Sequence, residues 1–127
     1  MTDRHPAGQK TRREVLGDAH VDRSEGSATD LDRPFVDLIT ESAWGTVWAS
    51  DAITRRERSM ITLAILAATG SYNELPLHLR ATARTGASRR DIMEVFQHVA
   101  IYGGVPKANH AVQIAKEIFA EMDAADD

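Results

Sequence analysis

Thr54-Arg-Arg-Glu-Arg-Ser-Met-Ile-Thr-Leu-Ala-Ile-Leu-Ala-Ala-Thr-Gly70 decides the fold. Thr54 and Glu57 have the spacing of a capping box, in which the hydroxyl accepts from an early helical N–H and the carboxylate reaches back to the cap. Met60, Ile61, Leu63, Ala64, Ile65, Leu66, Ala67 and Ala68 then run almost without interruption, and Gly70 supplies a stop. The stretch predicts a helix over about 55–69. A helix that is apolar all round must be enclosed all round. A chain of 127 residues buries only a modest core. Other copies of the chain are therefore expected to cover part of it.

Toward the C-terminus the pattern stays helical. A second helix is predicted over about 72–85, closed by Gly86. Pro76 fits it only near the first turn, which allows a start later than Tyr72. Ser88-Arg-Arg-Asp91 is another capping signal, followed by Ile92, Val95, Phe96, Val99 and Ala100 at helical spacing. Gly103-Gly104 breaks the chain, and Val105-Pro106 restarts it. The last helix should continue to about Met122 on Ala111, Ile114, Ala115, Ile118 and Phe119.

Toward the N-terminus the signals weaken. His5, Pro6 and Gly8 predict a frayed start over residues 1–8, with a short helix over 9–18. Residues 21–33, rich in Asp, Ser, Gly and Arg, read as a loop. Pro34 suits a first helical turn. Phe35, Leu38, Ile39, Val47 and Trp48 then give that helix an apolar stripe. Nothing reads as a strand. The expectation is an all-α single domain of about six helices over residues 1–127.

Composition narrows the function. A net charge of −4 argues against a nucleic-acid binder. Lys10–Arg13, Arg55–Arg58 and Arg89–Arg90 are brief basic clusters that read as solvated faces. The absence of cysteine excludes disulfides, thiol catalysis and thiolate metal sites, and it fits a cytoplasmic protein. No stretch approaches the length of a membrane span, and the polar start carries no apolar signal segment.

Chemistry then rests on five histidines: His5, His20, His78, His98 and His110. His5 falls in the expected frayed start. His98, beside Gln97, reads as a surface residue. His78 follows Glu74 by four residues, so on a helix the two share a face. A carboxylate beside an imidazole makes a usable acid–base pair near neutral pH, although the same spacing serves plain surface pairs. Leu75, Leu77 and Leu79 surround His78 with apolar bulk. A metal at this pair would need further ligands, and no HExxH pattern supplies them, so none is expected. His20 lies in Leu16-Gly-Asp-Ala-His-Val-Asp-Arg-Ser24, a polar loop or a binding arm. Tyr102-Gly-Gly-Val-Pro-Lys-Ala-Asn109 offers free N–H groups at a helix start that can hold an anion, or a plain turn.

Several blocks together resemble the carboxymuconolactone decarboxylase family. They are the segment 12–24, Ala43-Trp-Gly-Thr-Val-Trp48, Arg58-Ser-Met-Ile-Thr-Leu-Ala64, Leu77-His-Leu-Arg-Ala81 and Ile101-Tyr-Gly-Gly-Val-Pro-Lys-Ala-Asn109. They occur in the family's order and span about residues 9–122. The wider superfamily includes alkylhydroperoxidase-like proteins with Cys-x-x-Cys ahead of a helical histidine. If His78 matches that histidine, Ser71 and Glu74 stand in the cysteine positions, and thiol peroxidase chemistry is impossible. Where the decarboxylase branch often reads Tyr-Cys-Gly-Val-Pro, this chain has Gly103.

The resemblance implies cofactor-free decarboxylation of 4-carboxymuconolactone to the enol-lactone of 3-oxoadipate, in protocatechuate catabolism. It also implies an alkylhydroperoxidase-like bundle assembled as a ring, a trimer or a hexamer. The site it implies has His78 as proton donor or as donor to the developing dienolate oxygen, with Glu74 orienting it. Arg12 and Arg23, with His20 near them, would hold the substrate's carboxymethyl anion. Trp44, Trp48, Tyr102 and Asn109 would line the pocket. The N-terminal arm carrying His20 and Arg23 is expected to reach a neighbour's pocket. Competing readings are a decarboxylase or isomerase for another lactone acid, and a non-catalytic helical oligomer that binds a small anion.

Overall fold

The computed structural model describes residues 3–126. Among them are seven α-helices and no strand, so the all-α expectation holds. The sequence reads as one domain, and its contacts gather in two compact units, Met1–Thr54 and Arg55–Asp127.

The first unit opens with α1 (Arg4–Leu16) and α2 (Asp18–Ser27), joined at Gly17, whose φ of 89° only glycine adopts readily. The expected fraying of residues 1–8 is not found over Arg4–Gly8; Met1 and Thr2 lie outside the described residues. Pro6 sits in the first turn, where the helix needs no N–H from it. His5 is buried, with Nε2 3.2 Å from Oδ1 of Asp37. Gly8 and Gly45 let two backbones meet. A Cβ on Gly8 would overlap the carbonyl oxygen of Thr40, and one on Gly45 would overlap that of Arg4.

The loop expected over 21–33 is also corrected, because α2 covers its first part. That helix buries only Val21 and is tied to α1 by charge. Arg12 Nη2 donates to Ser24 Oγ at 2.8 Å, and Arg13 pairs with Asp18 and Asp22 at 3.2 and 2.8 Å. The chain continues through α3 (Arg33–Ile39), with Pro34 in its first turn as expected, into a π-helical segment, Thr40–Val47. The predicted apolar stripe is largely outside. Phe35, Leu38, Ile39 and Val47 are exposed, whereas Trp44 and Trp48 are buried and stack at 5.3 Å. The wider π turn re-aims the side chains that a 3.6-residue period would have grouped.

The second unit follows the sequence closely. It consists of α4 (Arg55–Ala68), a 3-10 turn (Tyr72–Glu74), α5 (Leu75–Thr85), α6 (Arg89–Tyr102) and α7 (Val105–Asp126). Leu75 opens α5 with Pro76 in its first turn, the later start that Pro76 allowed. Gly86 ends it at φ 87°. The capping box of α6 is formed in full by Ser88 and Asp91. Leu63, Ala67, Leu75, Leu79, Ile92, Phe96, Ala111 and Ala115 make the core. Burying each large side chain there contributes about 1.5–3 kcal/mol. α4 is enclosed on one side only: Ser59, Leu63 and Ala67 are buried, while Ile61 and Ile65 are exposed.

At the junction of α6 and α7, a Cβ on Gly103 would stand 3.2 Å from the Cβ of Ala68 and 3.1 Å from the carbonyl oxygen of Val99. Lys107 Nζ donates to the carbonyl of Ala68 at 3.0 Å, closing an open end of α4. Among the described residues, no helix is long and apolar enough to cross a membrane.

Candidate functional site

His78 stands four residues into α5, between the fully buried Leu75 and Leu79. It is half-buried, and its Nδ1 is sealed from solvent. Glu74, exposed, ends the 3-10 turn and occupies the N-cap position of α5. The pair is thus one turn apart, with the carboxylate at the helix mouth and the imidazole inside the first turn and a half. A half-buried imidazole can donate a proton near neutral pH. A carboxylate one turn away can orient it.

The candidates of the first unit differ in burial and in what holds them. Arg12 is largely buried, with a side chain 12% exposed. It is held by Ser24 and, at 3.5 Å, by Glu25, which also binds Arg33 at 2.9 Å. Its Nε is buried without a hydrogen-bond partner. Arg12 therefore joins α1 to α2. Arg23 is exposed on α2. His20 lies on the same helix, half-buried, three residues before Arg23 and so on the same side. Trp44 and Trp48 pack against each other inside the unit.

Within the second unit, Tyr102 and Asn109 flank α6 on different sides. Tyr102, 82% exposed, lines an open groove of about 590 Å³ between α4 and α6. Asn109 lines a second groove of about 350 Å³ between α6 and α7, with Met93, Phe96 and Val112. His78 lines neither.

The larger groove holds a row that the sequence reading passed over. Glu94, His98 and Tyr102 all face it, and the rings of His98 and Tyr102 stack at 5.0 Å. His98 is exposed as expected, yet it is part of a built surface. The four-residue spacing was the available signal. Among the described residues, no Lys or Arg lines this groove. Among the described residues, no group of three or more His, Asp or Glu side chains converges as metal ligands would.

A strong electrostatic perturbation lies away from these residues. The Arg56 guanidinium, 2.7–2.8 Å from both carboxylate oxygens, holds Asp91 well below the usual carboxylate range, and the Ser88 N–H adds to it. Arg89 lowers Asp123 in the same way. Both pairs brace helix ends rather than line a cavity.

Comparison with known proteins bears on the same segments. The model of the carboxymuconolactone decarboxylase family matches residues 33–117. A 4-carboxymuconolactone decarboxylase of Acinetobacter baylyi is 37% identical over 122 residues, which cover 96% of this chain and 91% of that protein. A nitrosuccinic acid decarboxylase of Metarhizium robertsii is 36% identical over 115 residues, 91% of this chain and 80% of that one. A match over 122 of the 127 residues extends across both units. The chain belongs to the carboxymuconolactone decarboxylase family.

Proposed function

We propose that this chain is a carboxy-lyase that converts 4-carboxymuconolactone to 3-oxoadipate enol-lactone, in the cytoplasm, as a homo-oligomer. The observation that carries the reading is the 37% identity to a 4-carboxymuconolactone decarboxylase across 96% of the chain. The substrate is its own electron sink. As the carbon–carbon bond to the departing carboxylate breaks, its electron pair moves through the ring double bond into the lactone carbonyl. CO2 leaves, and the resulting dienolate takes one proton on the carbon beside the carbonyl.

The chain's residues have three tasks in this scheme. His78 supplies the proton or a hydrogen bond to the dienolate oxygen, and Glu74 orients it. Arg23, with His20 beside it, binds the carboxymethyl anion. Arg12 acts through α2, which it holds, rather than on the substrate. In an oligomer the α2 arm of one subunit can serve the pocket of another.

A second reading has its own support in the 36% identity to a nitrosuccinic acid decarboxylase. Nitrosuccinate and 4-carboxymuconolactone share one pattern: a single carbon bears the departing carboxylate, a CH2–carboxylate arm and an electron acceptor. A nitro group takes the electron pair as the vinylogous lactone carbonyl does. A site that grips the retained arm and desolvates the departing carboxylate suits either acid.

The test is a coupled assay in which a cycloisomerase makes 4-carboxymuconolactone from the muconate tricarboxylate and the purified protein is added. CO2 release with appearance of the enol-lactone, well above the spontaneous rate, is the expected result. No acceleration by folded protein would overturn the first reading. Turnover of nitrosuccinate in a parallel assay would then favour the second.

A further inference from the structure

Along α6, Arg90, Glu94, His98 and Tyr102 follow one another at four-residue spacing and form one ridge. Glu94, His98 and Tyr102 line the groove beside α4, and Arg90 is exposed one turn earlier. Opposite them Ile61 and Ile65 of α4 remain 50% and 55% exposed, with Met60 and Ala64 forming the floor. A soluble surface rarely leaves such an apolar strip uncovered.

Charge decides what covers it. With Glu94 present and no Lys or Arg in the lining, a small dianion would meet repulsion and no counterion. The ridge on α6 is instead complementary to its own reverse. Laid antiparallel on a second copy, about a two-fold axis between residues 94 and 98, Glu94 comes opposite the partner's His98. Arg90 comes opposite the partner's Tyr102, as a cation over an aromatic face. The axis repeats both pairs, as an isologous contact requires. The same contact seats Ile61 and Ile65 against the partner's apolar strip.

We propose that the α4–α6 face is the interface between two copies of this chain, held in register by reciprocal Glu94–His98 and Arg90–Tyr102 pairs across a two-fold axis. The inference rests on the homo-oligomer reading above and names the surface that makes it.

The test uses full-length protein and light-scattering mass over a dilution series, with helicity checked by circular dichroism. Variants are Glu94→Lys, His98→Glu and the double exchange. His98→Glu sets two carboxylates opposite each other and Glu94→Lys removes the acceptor that faces His98, each at two symmetric places, and each should shift dissociation to a concentration at least about tenfold higher. The double exchange restores opposite charges and should recover most of that shift. Single variants that dissociate as the wild type does would overturn the proposal and leave the oligomer reading standing, as would a double variant no tighter than the singles. A wild-type mass of one chain throughout would overturn both.

Discussion

The backbone at Gly8 lies against that at Thr40 so closely that a Cβ on the glycine would overlap the threonine carbonyl oxygen. Gly45 meets Arg4 in the same way one turn further on. Two glycines on two helices thus set the distance between α1 and the π-helical segment. The nearest atom at each contact is a backbone carbonyl oxygen, which cannot swing aside as the end of a side chain can.

Substitution there should therefore act on packing. Gly8→Ala and Gly45→Ala are each expected to destabilise by about 3 kcal/mol, the upper range for overpacking. Gly26→Ala, with open space around its Cβ, should be neutral or stabilising by up to about 1 kcal/mol. Thermal unfolding followed by circular dichroism checks all three. A Gly8→Ala protein as stable as wild type would refute the close approach.

Asp91 links stability to pH. Its carboxyl is lowered in the folded state, first by Arg56 and then by the Ser88 N–H. A group lowered on folding stabilises above its unfolded value and loses that contribution as pH falls through the folded one. The contribution should thus be complete at pH 7 and fade below about pH 4. Asp91→Asn should be less stable at neutral pH and show a shallower loss in acid, seen in urea midpoints across that range. Ser88→Ala, which removes the cap itself, should cost about 1 kcal/mol at neutral pH. Equal acid slopes in wild type and Asp91→Asn would contradict the assignment.

Arg12 and Arg23 should separate by phenotype. Arg12→Ala strips partners from Ser24 and Glu25 and should lower stability. Arg23→Ala, at an exposed position, should leave stability within about 0.5 kcal/mol. Its effect should appear in KM, raised about tenfold or more by loss of a charged hydrogen bond. Steady-state kinetics beside an unfolding curve decides. A wild-type KM for Arg23→Ala would remove it from the anion site.

His78→Ala should lower kcat by at least about 10²-fold, the scale of a lost general acid. Glu74→Gln should cost less and should change the shape of the pH–rate profile, which a purely structural role would leave alone. Near-full activity of His78→Ala would take the imidazole out of the mechanism.

The second unit was legible because its signals agree. Apolar residues recur at helical spacing, Ser88 and Asp91 announce a start, and Gly86 announces a stop. The first unit was not, because its order comes from groups far apart in sequence. His5 reads as part of a loose end until Asp37, thirty-two residues on, is known to meet it. α2 carries no apolar period, and its cohesion comes from Arg12 and Arg13 on the neighbouring helix. A π-helical turn has no signature in a 3.6-residue pattern, so the exposure of Phe35 was invisible. Of the candidate site, Glu74 and His78 were readable from motif and spacing. The ridge on α6 was readable too, but polar residues at helical spacing look like any solvated face until the groove beside them is seen.

The glycine at the end of α6 carries a consequence for related sequences. Gly103 and Ala68 compete for one small volume. A relative with a larger residue at the first position must recover space at the second or let α4 draw back. Positions 68 and 103 should then vary together across the family, the side-chain volume gained at one being given up at the other. The pairing makes Gly103→Cys with Ala68→Gly milder than Gly103→Cys alone, so a trace of close packing should be readable in aligned relatives without any coordinates.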